Sequence, residues 1–217
     1  MPKVDGNARE RILDAAFVLF SQKGYTATTV RDIAGGVGVK AASLYNHFGG
    51  KQEIFDALIA RETAYVEDRV RSAGAIARPD DDPRAYSQAK RADLAKLVWN
   101  SYAPFFGDDR IRLFRRMLAV SRYSDTRCAE LYQAVFVVRP IKLQETIFSH
   151  LIDVGIFEPC DARLAAEQFH GPMLMAIDSE MPACDAKEFC ERHLSAFNAA
   201  HERKEKKGKR EEGREGK

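Results

Sequence analysis

The stretch "VGVKAASLYNHFGGK", from Val37 to Lys51, contains the turn that decides the fold of this chain. Two helices that cross steeply need a small residue where their backbones meet, and the turn between them needs a residue that tolerates positive φ. Ala34 supplies the first, and Gly38, four residues later, supplies the second. The apolar residues expected to pack the second helix onto the first are Ile33, Val39 and Leu44. This spacing predicts a helix-turn-helix.

The second helix, predicted from about Lys40 to Phe48, carries short or hydrogen-bonding side chains on its outer side. They are Lys40, Ala41, Ser43, Tyr45, Asn46 and His47. Such side chains suit a helix that enters a DNA major groove about 12 Å wide, whereas a solvated helix more often carries Glu/Lys pairs. A plain αα-hairpin is the structural alternative. The stretch lacks the third glycine of a dinucleotide-binding motif and the Gly-Lys-Ser/Thr ending of a phosphate-binding loop.

Composition narrows the function classes. The chain has 217 residues, of which 45% are apolar, so it can form a hydrophobic core. Its formal net charge is only +2, so an argument for nucleic-acid binding has to rest on a local motif. We find no long apolar run and no basic-then-apolar N-terminal segment. We therefore expect a cytoplasmic protein with reduced cysteines, no membrane span and no cofactor.

Apolar residues recur at helical spacing along the chain, and no alternating strand pattern is convincing. The predicted fold is therefore all-α, with about nine helices. Their approximate ranges are 9–23, 28–35, 40–48, 51–72, 86–104, 109–123, 126–154, 161–178 and 185–205. Gly24 and Gly155 are expected to end helices, and Pro140 is expected to kink or split the helix that contains it.

Residues 9–59 closely resemble the N-terminal domain of the tetracycline-repressor (TetR) family of bacterial transcription regulators. The resemblance rests on ILDAA, F-x3-G-Y, TTVRDIA, GV, LYNHF and a lysine that opens the next helix, all at fixed spacings. It implies that base edges are approached by Lys40, Ala41, Ser43 and Arg31. It implies that phosphates or sugars are met by Thr29, Tyr45, His47 and Lys51, and Asn46 completes the DNA-facing set.

Two pairs of glycines depart from the family pattern. Gly35 and Gly36 replace helix-forming polar residues, and each should cost about 1 kcal/mol relative to alanine, so we expect this helix to be short or soft before DNA binds. Gly49-Gly50 replaces the usual capping residues of the next helix. For His47, a surface histidine without DNA contact is the alternative; for Tyr45, packing is compatible with contact.

The resemblance also implies a division of the chain. The predicted parts are a helix-turn-helix DNA-binding domain at 1–50, a linking helix at 51–76, a helical ligand-binding and dimerisation domain at 77–205 and a tail at 206–217. The break "ARPDDDPR", from Ala77 to Arg84, cannot continue a helix because it holds two prolines and three aspartates. The tail has no apolar residue to anchor it, so we expect it to be disordered. Non-specific DNA affinity is the alternative for the tail.

The C-terminal part is rich in aromatic residues and methionines. At helical spacing such residues are usually core, but the family resemblance implies that some of them line a cavity for a small-molecule inducer. The residues predicted to contact this ligand are Trp99, Tyr102, Phe106, Met117, Phe136, Phe169, His170 and Met173. For His170, a hydrogen-bonded core histidine is the alternative.

The resemblance implies that helices 161–178 and 185–200 pair with those of a second subunit. The homodimer would read a near-palindromic DNA operator as a repressor, and the ligand would release it by moving helix 51–72. A DNA-binding regulator without a ligand is the alternative. A helical enzyme is less favoured, since we find no nucleophile elbow, metal motif or phosphate loop.

The four cysteines allow two further hypotheses. Cys190 and His193 lie three residues apart with Cys184 nearby, which could begin a metal site, but no CxxC pair or fourth ligand completes it. Cys128 or Cys160 could act as a redox switch. Inert thiols are the default expectation, so no metal site is predicted.

Overall fold

The computed structural model describes residues 5–75 and 81–203. Within these ranges the chain forms eleven α-helices, one π-helical segment and one isolated β-bridge between Phe157 and Glu202. The α-helices are α1 Asp5–Ala27, α2 Val30–Val37, α3 Ala41–Leu44, α4 Lys51–Ser72, α5 Arg84–Gln88, α6 Arg91–Gly107, α7 Asp109–Ser121, α8 Thr126–Gln133, α9 Arg139–Asp153, α10 Ala162–Asp178 and α11 Ala183–His201. The all-α fold class is confirmed. Residues 77–80 of the predicted break and the predicted tail lie outside the described residues.

The glycines predicted at the turn and at helix ends all have positive φ, although Gly24 lies inside α1 and does not end it. Gly38 follows α2 with φ 79° and ψ 30°, and the N–H of Val39 donates to the carbonyl of Ala34 at 3.0 Å. Gly24 has φ 80° and interrupts the helical conformation within α1. Gly155 ends α9 with φ 75°. These positive φ angles favour glycine over residues with a Cβ.

Eleven helices replace the nine expected because of two differences. The first residues of the predicted helix 86–104 belong to the separate short helix α5, Arg84–Gln88, and α6 begins only at Arg91. The predicted helix 126–154 is divided by the π-helical segment Ala134–Val138, so the expected split near Pro140 is confirmed. Pro140 lacks an N–H and its ring crowds the carbonyl four residues earlier, that of Phe136. A π turn relieves this crowding by widening the helix.

The buried apolar residues form two clusters. The first is built by α1–α4 together with α7 and α8, and the second by α5, α6 and α9–α11. Ile54, Phe55 and Leu58 in the first half of α4 are buried in the core of the helix-turn-helix. Because α1 packs on α7, the helix-turn-helix shares its core with C-terminal helices.

A buried carboxylate joins three helices of the first cluster. Glu62 of α4 is 1% exposed and accepts from Arg61 Nε at 2.7 Å and from Arg110 Nε of α7 at 2.6 Å. Arg61 also donates to Glu10 and Asp14 of α1 at 2.8 and 2.9 Å. Burial of a charge is costly unless it is paired, so these bonds fix α4 against both neighbours.

Candidate DNA interface and ligand cavity

Helix α2 begins with a capping box. Thr29 Oγ1 accepts from the Asp32 N–H at 3.1 Å, and the Asp32 carboxylate accepts from the Thr29 N–H at 2.9 Å. The hydrogen bonds from Thr29 hold the pKa of Asp32 below its usual value. The box orients α2 although the helix contains Gly35 and Gly36. Thr29 is therefore the N-cap of α2.

Two arginines that the sequence analysis missed hold the helix-turn-helix together. Arg11 Nη2 donates to the carbonyl of Val37 at the end of α2, at 2.9 Å. Arg9 Nη1 donates to the carbonyl of His47 at 2.9 Å, and its guanidinium lies 4.1 Å from the ring centroid of Phe48. Helix C-termini leave carbonyls unpaired, and arginines satisfy them well. Only the folded arrangement brings these residues together, so the sequence carried no local signal.

The second helix of the helix-turn-helix, predicted to contact DNA, is shorter than the expected range 40–48. Helix α3 spans Ala41–Leu44, and the residues after it continue as tight turns in which the His47 N–H donates to the Leu44 carbonyl at 3.0 Å. Leu44 is buried as expected, together with Ile33. The expectation for Val39 was wrong, because this side chain is 38% exposed. Val39 follows the left-handed Gly38, and the turn directs it outward.

Most of the predicted DNA-facing side chains are exposed, at the start of α2 and on or beside α3. The exposed members of the set are Thr29, Arg31, Lys40, Ser43, Tyr45 and Asn46, while Ala41, His47 and Lys51 are half-buried. Tyr45 is 57% exposed, although it neighbours the fully buried Leu44. An exposed large aromatic residue beside polar groups is a common feature of binding surfaces.

Two residues of the predicted set already have partners inside the domain. Lys51 Nζ donates to the carbonyls of Tyr25 at 2.9 Å and Thr26 at 3.4 Å, and lies 4.3 Å from the Tyr25 ring centroid. The Thr29 hydroxyl donates to Asp32 at 2.9 Å. Both side chains therefore stabilise the domain itself. Gly50 is the N-cap residue of α4 and has no side chain that could cap the helix. The Glu53 carboxylate of the first turn accepts instead from the Gly49 N–H, at 2.7 Å.

An apolar cavity of about 120 Å³ lies between α4, α6, α9 and α10. Its walls include Val66 and Val70 of α4, which places the second half of the linking helix against the cavity. Of the eight predicted ligand contacts, three line it: Tyr102, Phe169 and His170. Lining residues that the prediction missed include Phe105, Gln144, Ile147 and Phe148. Mostly apolar walls with few polar groups are typical of small-molecule sites.

The other five predicted ligand contacts lie outside the lining of this cavity. Met117 and Phe136 belong to the first apolar cluster, and Met173 is fully buried in the second. Trp99 stacks on Phe106, with 5.9 Å between ring centroids. For these residues the alternative of ordinary core packing accounts for the observed positions.

Both ring nitrogens of His170 have partners. Its Nε2 lies 2.9 Å from the carbonyl of Phe136, and its Nδ1 lies 3.3 Å from the Tyr102 hydroxyl. Burial lowers the pKa of His170, so the imidazole is neutral near pH 7. His170 is thus a hydrogen-bonded core histidine whose ring also forms part of the cavity wall.

Three of the four cysteines, Cys128, Cys160 and Cys190, do not have the surroundings of reactive thiols. Burial raises the pKa of Cys128 to about 11 and that of Cys190 to about 12, and it also raises the pKa of Cys160. A raised pKa keeps a thiol protonated and unreactive. His193 Nε2 lies 2.9 Å from the Phe169 carbonyl. In the ranges 5–75 and 81–203, no cluster of three or more His, Cys, Asp or Glu side chains could hold a metal ion.

Helices α10 and α11 present apolar side chains to solvent. Met175 is 59% exposed and Leu164 51% exposed, and a surface groove is lined by Gly171, Pro172, Met175, Phe189, Arg192 and His193. The small residues expected to allow close packing with a partner divide into two groups. Ala165, Ala166 and Ala176 are buried within the protomer, whereas Gly171, Ala196 and Ala199 are exposed. None of the helices described is long and apolar enough to cross a membrane.

Comparison with known proteins places the helix-turn-helix in a family. The family "Bacterial regulatory proteins, tetR family" matches residues 12–58. Over 62 residues the chain is 44% identical to the HTH-type transcriptional repressor KstR2 of Mycobacterium tuberculosis. This aligned segment covers 27% of this chain and 31% of KstR2. Over 48 residues the chain is 50% identical to IcaR of Staphylococcus aureus, the negative transcriptional regulator of the biofilm operon icaADBC, covering 22% of this chain and 26% of IcaR. The chain therefore aligns with about a third or less of the length of these curated relatives.

The similarity of fold extends over nearly the whole chain. The structure of a SmeT–triclosan complex superposes with a TM-score of 0.67 at 23% identity, and covers 92% of this chain and 93% of SmeT. SmeT is the repressor of the Stenotrophomonas maltophilia multidrug efflux pump SmeDEF. At this identity the superposition establishes a common fold. KstR2 and IcaR, the two relatives matched by sequence above, are both transcriptional regulators.

Proposed function

We propose that this chain is a ligand-responsive transcriptional repressor of the TetR family, which its residues 12–58 match. It binds a near-palindromic DNA operator as a homodimer and is released by a small, largely apolar molecule. DNA and the inducer are its partners, and both are met in the cytoplasm. The observation that carries the proposal is the position of α4, which lies in the helix-turn-helix core and also forms a wall of the cavity.

The exposed side chains on and around α3 supply the DNA contacts. Lys40 and Ser43 approach base edges, as does Arg31 of α2, and Tyr45 meets the backbone. Lys51 and Thr29 act mainly by holding the domain in shape, since their polar groups are already bonded. His47 contacts DNA at the edge of this surface, where Arg9 holds the His47 backbone carbonyl by a hydrogen bond.

Release follows from a change in the position of α4. A ligand that enters the cavity presses on Val66 and Val70, and the same helix carries Ile54 and Phe55 in the reading domain. The buried Glu62 network transmits the movement to α1 and α7. The two reading helices of a dimer must lie one DNA turn apart. A ligand shifts this equilibrium only if it prefers the non-binding conformation.

The test titrates the protein against DNA from upstream of its own gene and of neighbouring genes, with unrelated DNA as the control, at two salt concentrations. We expect tight, footprinted binding to a near-palindrome. Tyr45→Ala should weaken it by about tenfold or more, because one good contact is worth about 1–3 kcal/mol. Tyr123→Ala is the matched control, since Tyr123 is 87% exposed on the turn before α8.

Two results would contradict the proposal at different points. Equal binding to all DNA that disappears at moderate salt would leave only phosphate attraction and no operator. Specific binding that no cavity ligand weakens would favour the alternative of a regulator without an inducer.

A further inference from the structure

A buried amide in the cavity wall has one polar atom without a protein partner. Gln144 of α9 is 7% exposed and lines the cavity. Its Nε2 donates to the Tyr102 hydroxyl, and no described group donates to its Oε1. A buried acceptor without a donor costs about 1–3 kcal/mol, so its presence beside a ligand-sized space calls for an explanation.

The orientation of this amide follows from the hydrogen bonds behind it. Pro140 has no N–H, so it leaves the Phe136 carbonyl without the donor that an α-helix would provide. A carbonyl only accepts, and His170 Nε2 therefore carries the proton that it donates to Phe136. In a neutral imidazole the other nitrogen accepts, so the Tyr102 hydroxyl donates to Nδ1.

The donor and acceptor roles in the remaining hydrogen bonds of this chain, from His170 through Tyr102 to Gln144, are then fixed. Because the Tyr102 O–H group donates its hydrogen bond to His170, the Tyr102 oxygen accepts the hydrogen bond from Gln144. Only the amide nitrogen of Gln144 can donate, so the oxygen of Gln144 is the atom left for the cavity. Reversing the amide would place two acceptors against each other.

The charges around the cavity restrict its ligand further. The charged side chains among its lining residues are Glu67 and Arg139, and they form an ion pair with each other. A charged ligand would lose its hydration on entering this apolar space. Because Glu67 and Arg139 already pair with each other, neither would neutralise the ligand, and burial of an unpaired charge is costly. The volume of about 120 Å³ is close to that of an engineered cavity of about 150 Å³ that takes benzene, so a single ring fits.

We propose that this cavity selects uncharged, mainly apolar ring compounds that carry a hydroxyl or N–H group, and that this group donates a hydrogen bond to Gln144 Oε1. The proposal rests on the function proposed above and names the ligand class of the same site. The relay from Phe136 through His170 and Tyr102 keeps the acceptor in place before the ligand arrives. Tyr102 and His170 are positioning residues in this scheme.

The test is a thermodynamic cycle with two probes of the same shape, 4-methylphenol and 1,4-dimethylbenzene. Their dissociation constants are measured calorimetrically with the parent protein and with Gln144→Met, which keeps the side-chain length and removes both polar atoms. We expect the preference for the phenol over the hydrocarbon to fall at least tenfold in Gln144→Met, as one hydrogen bond to a buried acceptor predicts. The cycle cancels the difference in hydrophobicity between the probes.

Two further measurements keep the result interpretable. Thr146→Val is the matched control, because Thr146 lies on the same helix outside the cavity lining and its hydroxyl donates to the Lys142 carbonyl, so the preference should not change. Gln144→Leu repeats the cycle if Gln144→Met does not fold. The anion 4-methylbenzoate should bind at least tenfold more weakly than 4-methylphenol.

The outcomes separate this inference from the proposed function. If both probes bind and the preference is the same in Gln144→Met, the amide does not recognise the ligand and the inference is overturned, while the cavity remains a ligand site. If neither probe binds or raises the melting temperature, the cavity does not take ring compounds of this class and the inference is overturned, while the proposed function is still decided by the operator titration. If the protein prefers the phenol as expected but the phenol leaves operator binding unchanged, the inference stands. The proposal that the ligand releases the protein from DNA is then refuted.

Discussion

At the scale of single residues, the surface of the helix-turn-helix contains two kinds of polar side chain. Arg9, Arg11 and Lys51 donate to backbone carbonyls at the ends of helices, and they complete the fold of the domain. Lys40 and Tyr45 are exposed, and Lys40 makes no side-chain cap of its own helix. Substitutions of the two kinds should therefore have different signatures in stability and in DNA binding.

Lys51→Ala tests the first kind of residue. It removes the bonds to the Tyr25 and Thr26 carbonyls and the contact with the Tyr25 ring, and we expect the free energy of unfolding to fall by about 1 kcal/mol. Tyr45→Ala should change it by less than about 0.5 kcal/mol, as surface substitutions usually do. Urea unfolding of both variants measures the difference. Equal stability of the two variants would mean that the Lys51 bonds contribute nothing net.

The glycines of the first turn region allow a second prediction. A Cβ at Gly35 would meet nothing within 4 Å, so Gly35→Ala should raise the free energy of unfolding by about 0.5–1 kcal/mol. Gly38→Ala should lower it by about 1–2 kcal/mol, because φ is positive there although the space is open. Thermal or urea unfolding checks both signs. Stabilisation by both substitutions would refute the role given to Gly38.

At the scale of elements, α4 is held by a buried charge network and not by apolar packing alone. Glu62→Gln removes the charge that Arg61 and Arg110 share, and we expect a loss of about 2 kcal/mol in the free energy of unfolding. This is below the usual range for a buried pair because the side chain of Arg110 is 39% exposed. The measurement is chemical denaturation monitored by circular dichroism.

A surface ion pair provides the control for this substitution. Arg112 and Asp109 form an exposed pair on α7, and Arg112→Gln should cost less than about 0.5 kcal/mol. If Glu62→Gln cost no more than Arg112→Gln, α4 would not be fixed through its carboxylate. The route proposed for ligand-induced movement would then lose its rigid link to α1 and α7.

Elements with strong local signals could be predicted from the sequence, whereas those set by tertiary contacts could not. Gly38 and Pro140 act through their own backbone chemistry, so the turn and the division of the helix were predictable. The short α3 was not, since the Arg9 bond that holds its end crosses 38 positions of sequence. Val39 was assigned to the interior on spacing alone, and the left-handed turn reverses its direction.

The candidate site shows the same limit. Aromatic residues at helical spacing were expected in a cavity, but the chain forms two apolar clusters, and spacing does not tell which cluster a residue enters. Phe136 and Met117 entered the first, while Tyr102 and Phe169 reached the cavity wall. Gln144 had no sequence signal because its importance depends on a relay through three other helical segments.

At the scale of the whole molecule, the exposed face of α10 and α11 is the surface on which the proposed dimer depends. Met175 and Leu164 are more than half exposed there, beside the small Gly171, Ala196 and Ala199. Helix faces with small and apolar exposed residues allow close approach of a second copy. Since one helix-turn-helix reads one half-site, tight operator binding requires two copies in a fixed arrangement.

Met175→Glu tests this arrangement, because it places a charge at the centre of the exposed apolar face and should convert a dimer into a monomer. Sedimentation velocity measures the mass, and operator titration should show at least tenfold weaker binding, since the two half-sites are then bound independently. Val154→Glu is the control, because Val154 is 50% exposed at the end of α9, outside this face. If the parent chain sediments as a monomer, or if Met175→Glu remains a dimer with unchanged operator affinity, the two copies do not meet through α10 and α11. The operator would then have to be read without the spacing that this interface imposes.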